Sequence, residues 1–137
     1  MTMISLNKET LKIGTEQDVI LFRQRLKEYA TKIGMSLLNQ TKLITASSEL
    51  VRNILVYAKK GEVLIEVVSD RLQTGIRVTF KDQGPGIADV QKALQDGYST
   101  GKSLGLGLPG AKRLVNFFDI QSTPGHGTTV TIIRWKR

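Results

Sequence analysis

Cysteine is absent from the 137 residues, and proline occurs only three times. Without thiols the chain forms neither disulfides nor thiolate metal sites, which suits a reducing compartment. No run of about 18 apolar residues could cross a membrane as a helix. The N-terminus also lacks a basic-then-apolar signal pattern, so a cytoplasmic location with no membrane partner is expected. Aromatic residues make up only 6% of the chain, too few for a base-stacking surface. Acidic residues are scarce as well: 12 against 20 Lys and Arg give a formal charge of +8. The basic residues are scattered, in pairs such as Lys59-Lys60 and Lys112-Arg113 and at the end Arg134-Trp-Lys-Arg137. With no base-reading motif, this pattern favours anionic ligands or acidic protein partners over nucleic acid.

What is present is an ordinary globular composition, 40% apolar and 23% charged, in a length that suits a single domain over 1–137. Met3 to Gly14 alternates weakly and predicts an edge strand. Thr15-Glu-Gln-Asp18 resembles a capping box and opens a helix whose apolar stripe is Val19, Phe22, Leu26, Tyr29, Ala30 and Ile33, closed by Gly34. A second helix is expected from near Asn39 to about Ala58, then strands over 63–68 and 76–80. A short amphipathic helix over 89–96, a glycine-rich loop and a helix over 109–118 follow. Strands over 119–122 and 128–135 close the chain around the turn Pro124-Gly-His-Gly127. This order departs from strict strand–helix alternation. It predicts an α+β two-layer sandwich, a mixed or antiparallel sheet with the helices on one face.

The stretch Asp96-Gly-Tyr-Ser-Thr-Gly-Lys-Ser-Leu-Gly-Leu-Gly-Leu-Pro-Gly110 carries five glycines. Gly101-Lys102-Ser103 resembles the end of a P-loop, but the required first glycine is Asp96 and no strand precedes it. Gly105, Gly107 and Gly110 have dinucleotide-fingerprint spacing, yet they too follow no strand. The acidic residue expected about 20 positions on is also missing. The stretch reads instead as a flexible loop ending at the helix start Pro109-Gly-Ala-Lys-Arg-Leu.

Three further places attract attention. On the second helix, Leu43, Ala46, Leu50, Ile54 and Tyr57 form an apolar stripe, and Glu49 and Asn53 lie about 40° apart on its flank. Ser48 and Arg52 are expected on the wet side. Glu49 and Asn53 are either a local polar pair or groups held at the edge of the core for a purpose. Asp82 stands directly after a strand and before Gly84 and Gly86, which is either a good turn or a carboxylate beside a ligand-sized gap. Gly125-His-Gly127-Thr128 opens the last strand, either as an ordinary hairpin loop or to place the Thr128 hydroxyl at the same sheet end as Asp82. His126 is expected to be a solvated turn residue with no catalytic role.

In order and spacing, Glu49-Leu-Val-Arg-Asn53, Asp82-Gln-Gly-Pro-Gly86, Gly105-Leu-Gly-Leu-Pro-Gly110 and Gly125-His-Gly-Thr128 resemble four motifs of the GHKL ATP-binding superfamily. These are its N-box, its two glycine boxes and its closing Gly-x-Gly-Thr, and the resemblance covers almost the whole chain. Within the superfamily, SELVRNILVYA, DQGPGI and GYSTGKSLGLGLPGAKRL are most similar to the RsbT-type serine/threonine switch kinases of the anti-sigma regulatory kinase family.

The resemblance implies a Bergerat-type fold in which the glycine-rich stretch is a mobile ATP lid. Asp82 would accept from the adenine amino group, with Gly84 and Gly86 turning the chain beside the base and Thr128 assisting. Asn53 would bind Mg²⁺. Gly105, Gly107 and Gly110 at the helix opening would cradle phosphate, and Lys102 would reach the γ-phosphate. Glu49 would take the proton from an incoming serine or threonine hydroxyl. The implied activity is that of a Mg-ATP-dependent protein kinase and partner-switching regulator in bacterial stress or sigma-factor signalling. Its substrates would be STAS-domain proteins, with a phosphatase as a further partner that it activates. The alternatives are an anti-sigma factor kinase that holds a sigma factor directly, and a non-catalytic nucleotide-dependent binding module. Retention of Glu49 argues against the module. A histidine kinase fragment is disfavoured because no phospho-accepting histidine helix is present.

Overall fold

The computed structural model describes residues 3–95 and 107–137. The expected lid, with Lys102 and Gly105, and the end of the helix expected over 89–96 lie outside them.

Strand β1 (Ile4–Ile13) leads into helix α1 (Glu16–Lys32) and helix α2 (Leu37–Asn53). Strands β2 (Gly61–Ser69) and β3 (Thr74–Asp82) follow, then the short helices α3 (Val90–Ala93) and α4 (Leu108–Arg113). Strands β4 (Phe117–Ser122) and β5 (Thr128–Trp135) complete the element order. The sheet order is β1-β2-β3-β5-β4, and all four pairings are antiparallel. Of the two sheet forms left open by the sequence, the antiparallel one is found.

Local chemistry sets the helix starts. The Thr15 side chain accepts from the Asp18 amide, and the Asp18 carboxylate accepts from the Thr15 and Gly14 amides, a complete capping box. Helix α2 begins two residues earlier than expected because Ser36 caps it, accepting from the Asn39 amide at 3.1 Å. Asp89 caps α3 in the same way. The helix expected over 109–118 is shorter, ending at Arg113. Phe117 and Phe118 instead pair with Ile133 and Ile132 in the sheet. Six helical residues gain little on their own, so strand pairing wins.

The core lies between the sheet and the helix layer. Val63, Ile65 and Val67 of β2, Ile76, Val78 and Phe80 of β3, and Val130 and Ile132 of β5 alternate along their strands and point inward. They meet Val19, Phe22, Leu26 and Ala30 of α1 and Leu43, Ala46 and Leu50 of α2. Phe22 packs edge-on against Phe80, with ring centres 5.9 Å apart. On the opposite sheet face, buried Glu66 takes two hydrogen bonds from Arg77 across the β2–β3 pair.

One row of residues crosses all five strands at one end of the sheet. Ile13, Gly61, Asp82, Thr128 and Ser122 are successive cross-strand neighbours in it. Beside this row α2 loosens into a π turn (Ile54–Ala58), ended by Lys59 in a left-handed conformation at φ 75°. π turns are frequent at functional sites.

Candidate functional site

An apolar cavity of about 50 Å³ sits against this row. Its walls are Leu50, Ile54, Tyr57 and Ala58 from α2 and the π turn, Phe80 and Val130 from the sheet, and Leu108 from α4. The side chains with polar atoms among the lining residues are few: Asp82, Asn53, Thr128 and Tyr57. An apolar slot with a few convergent polar groups is the usual form of a small-molecule site.

Asp82 and Thr128 reach the cavity because they share a cross-strand register and lie on the helix-facing side of the sheet. Asp82 Oδ1 accepts from the Gly84 amide at 2.8 Å, which fixes the carboxylate at the strand end. Three glycines let the chain close around it. A Cβ on Gly84 would meet Ala58 at 2.7 Å. Gly86 and Gly127 are left-handed, at φ 76° and 88°, and a Cβ on them would overlap the carbonyls of Thr123 and Asp82 respectively. The Asp82–Ile87 loop and the last turn therefore interlock, with a further bond from the Gly125 amide to Pro85 O at 2.8 Å. His126 is exposed in that turn, as expected of a solvated residue.

Asn53 is half-buried at the cavity wall, and its amide makes no hydrogen bond to any described residue. Glu49, one turn earlier, corrects an expectation. It is exposed, not at the edge of the core. Ser48, expected on the wet side, is half-buried and donates to Ile44 O at 2.7 Å, while Arg52 is exposed and pairs with Glu16 at 3.3 Å. Leu43, Ala46, Leu50 and Ile54 are buried as the apolar stripe predicts, so only the polar flank departs from expectation.

The Glu49 carboxylate lies directly against Gly107, where any Cβ would overlap Oε1. Gly107 is left-handed, at φ 78°, and caps α4, which has Pro109 in its first turn. The N-box carboxylate and the second glycine box thus meet in space. Gly110 differs: it lies within α4, and a Cβ there would have nothing within 4 Å.

The structure thus brings Asn53, Asp82, Gly86 and Thr128 to one cavity, with Gly84 behind it and Glu49 and Gly107 together beyond Asn53. Two contributors were missed by the sequence reading. Tyr57 read as core but turns its ring to the cavity through the π turn. Ser122 read as a strand end, yet its hydroxyl binds the Ile87 amide and Thr128 Oγ1, each at 2.8 Å. Only the register of β4 on β5 reveals it.

No group of three or more His, Cys, Asp or Glu able to hold a metal occurs among the described residues. Mg²⁺ does not need one. It keeps several waters and is held by one or two protein oxygens plus phosphate oxygens, so a free Asn53 amide oxygen fits that role.

Residues 38–137 match the family model described as histidine kinase-, DNA gyrase B-, and HSP90-like ATPase. The chain is 43% identical over 131 residues to the serine/threonine-protein kinase RsbT of Bacillus subtilis, covering 96% of this chain and 98% of that protein. It is 25% identical over 127 residues to an anti-sigma F factor of Caldanaerobacter subterraneus, covering 90% and 89%. Among solved structures it resembles the RsbU and RsbW domains of a Mycobacterium tuberculosis protein, with a TM-score of 0.65 and 23% identity. That match covers 94% of this chain and 32% of the other, a likeness of fold.

Proposed function

Because the chain belongs to the histidine kinase-, DNA gyrase B- and HSP90-like ATPase family, we propose that the cavity on the Asp82–Thr128 row is its adenine site. The protein is an ATP-binding serine/threonine protein kinase that works by partner switching with other proteins. What supports this reading most is the convergence on one apolar slot of Asp82, Thr128 and Asn53, whose amide has no partner among the described residues, with Glu49 just beyond it.

Asp82 offers a carboxylate to the adenine amino group, while Tyr57, Ile54 and Ile87 surround the ring plane. Asn53 would hold Mg²⁺ through its amide oxygen, and a bound Mg²⁺ would supply positive charge to offset the charge that develops during transfer. The backbone at Gly107 and Gly110, with Gly105 and Lys102 from the lid, takes the phosphate tail. Glu49 accepts the proton of an incoming serine or threonine hydroxyl as that oxygen bonds to the γ-phosphorus and the bond to ADP breaks. Exposure of Glu49 suits this role, since the acceptor arrives on another protein.

The acceptors are STAS-domain proteins, and a phosphatase is a further partner that the kinase activates, in bacterial stress or sigma-factor signalling in the cytoplasm. Among the described residues, no helix is long and apolar enough to cross a membrane. The likeness to anti-sigma F factors supports a second reading, in which the chain also holds a sigma factor.

Calorimetry with ATP and GTP tests the adenine assignment. A carboxylate accepts from adenine's amino group and repels guanine's carbonyl oxygen. ATP should bind and GTP should not, and Asp82→Asn should lose ATP. Equal affinity for the two nucleotides would sink the assignment.

A further inference from the structure

Ser122 sits at the centre of the contacts that shape the adenine end of the cavity, and neither its position in a strand nor any motif marks it out. Its hydroxyl has three neighbours: the Ile87 amide at 2.8 Å, Gly127 O at 3.1 Å and Thr128 Oγ1 at 2.8 Å. The first can only donate and the second can only accept. A serine hydroxyl has one hydrogen and two lone pairs. All three contacts are satisfied in one way only. Ser122 gives its hydrogen to Gly127 O and accepts from both Ile87 N–H and Thr128 O–H.

That assignment has a consequence for the ligand. With its hydrogen committed to Ser122, Thr128 faces the cavity as an acceptor. Its cross-strand neighbour Asp82 is an acceptor too. At Asp82 and Thr128 the cavity then carries two adjacent acceptors and no hydroxyl donor. That pair matches a 6-amino purine, which offers two hydrogens, and disfavours a 6-oxo purine, whose oxygen finds no donor in the pair.

We infer that Ser122 is a specificity-determining positioning residue, which acts through Thr128 by holding its hydroxyl as an acceptor toward the base. This rests on the adenine-site reading and adds to it a residue that never touches the nucleotide. Replacing Ser122 with alanine frees the Thr128 hydrogen to rotate toward the cavity and donate to a 6-oxo group.

The test is a double-mutant cycle read by calorimetry with ATP and with ITP, using the full chain. The wild type prefers ATP. Ser122→Ala should narrow the ATP-to-ITP preference by about tenfold, the size of one gained or lost hydrogen bond. In a Thr128→Val background no hydrogen remains to be freed. There, Ser122→Ala should change both affinities by the same factor. Ser122→Thr, which restores the hydroxyl, should recover the wild-type preference.

A purely structural Ser122, supporting the Ile87 loop and the last turn, would lower both affinities equally in either background and so overturn the inference. The inference also fails if Ser122→Ala narrows the preference as much in the Thr128→Val background. Failure of the wild type to bind ATP at all is a different result. It would overturn the adenine site itself, and the inference with it.

Discussion

Gly107→Ala is a substitution whose effect on catalysis should far exceed its effect on stability. Two features of Gly107 contribute. Its φ of 78° is left-handed, which costs an L-residue about 1–2 kcal/mol. Its missing Cβ is also the space that the Glu49 carboxylate occupies. The second conflict is cheap to relieve, because Glu49 is exposed, makes no bond to a described residue, and can rotate away. The stability loss is therefore the backbone cost, roughly 4–8 °C in Tm for a domain of this size. Function loses more. A base displaced from its working geometry forfeits about 100-fold or more in transfer rate. Gly110→Ala is the matched control from the same motif: its Cβ meets nothing, and it lies within a helix. It should stabilise the protein by about 0.5–1 kcal/mol and keep ATP binding, since a backbone amide survives the change. Differential scanning calorimetry and a phosphotransfer assay, run on both variants, measure the contrast. Wild-type Tm and transfer in Gly107→Ala, or equal damage in Gly110→Ala, would refute the placement of Glu49 against Gly107.

Asn53→Ala should weaken ATP binding about tenfold in the presence of Mg²⁺ and change it little in EDTA, measured by titration under both conditions. Arg77→Ala strands the buried carboxylate of Glu66 and should cost about 1–3 kcal/mol at neutral pH in urea unfolding. Hydrogen bonds from Arg77 hold the Glu66 pKa below the ordinary 4.5, so this stabilisation is fully present above that value and fades as pH falls through the folded pKa. The gap between wild type and Arg77→Ala should therefore shrink below about pH 4.5. A gap independent of pH would mean that Arg77 acts through packing alone.

Much of the fold was legible because its signals are local. The Thr15–Asp18 capping box, the stripe from Val19 to Ile33 and the alternation of β2, β3 and β5 each determine one element without help from distant residues. The misplaced boundaries depend on partners far away in sequence. Phe117 and Phe118 left a helical pattern because Ile133 and Ile132 were there to pair with them. The same holds at the site. Asp82 and Thr128 announced themselves by neighbouring glycines and Asn53 by its place on the flank of a helix stripe, and they do meet. The exposure of Glu49 depends on how far neighbouring elements cover the flank of α2, and the contacts of the Ser122 hydroxyl depend on cross-strand register. Neither leaves a pattern in the chain.

The central claim is that this site passes the γ-phosphate of ATP to a protein hydroxyl with Glu49 as base. The direct measurement pairs wild type and Glu49→Ala, each incubated with γ-labelled Mg-ATP and a purified STAS-domain protein, with phosphorylated residues mapped and ATP affinity measured in parallel. Wild type should label one serine or threonine of the STAS domain, while Glu49→Ala should bind ATP with near-normal affinity and transfer no detectable label. Wild-type labelling by Glu49→Ala would contradict the account, and so would ATP binding by the wild type with no label on any STAS partner.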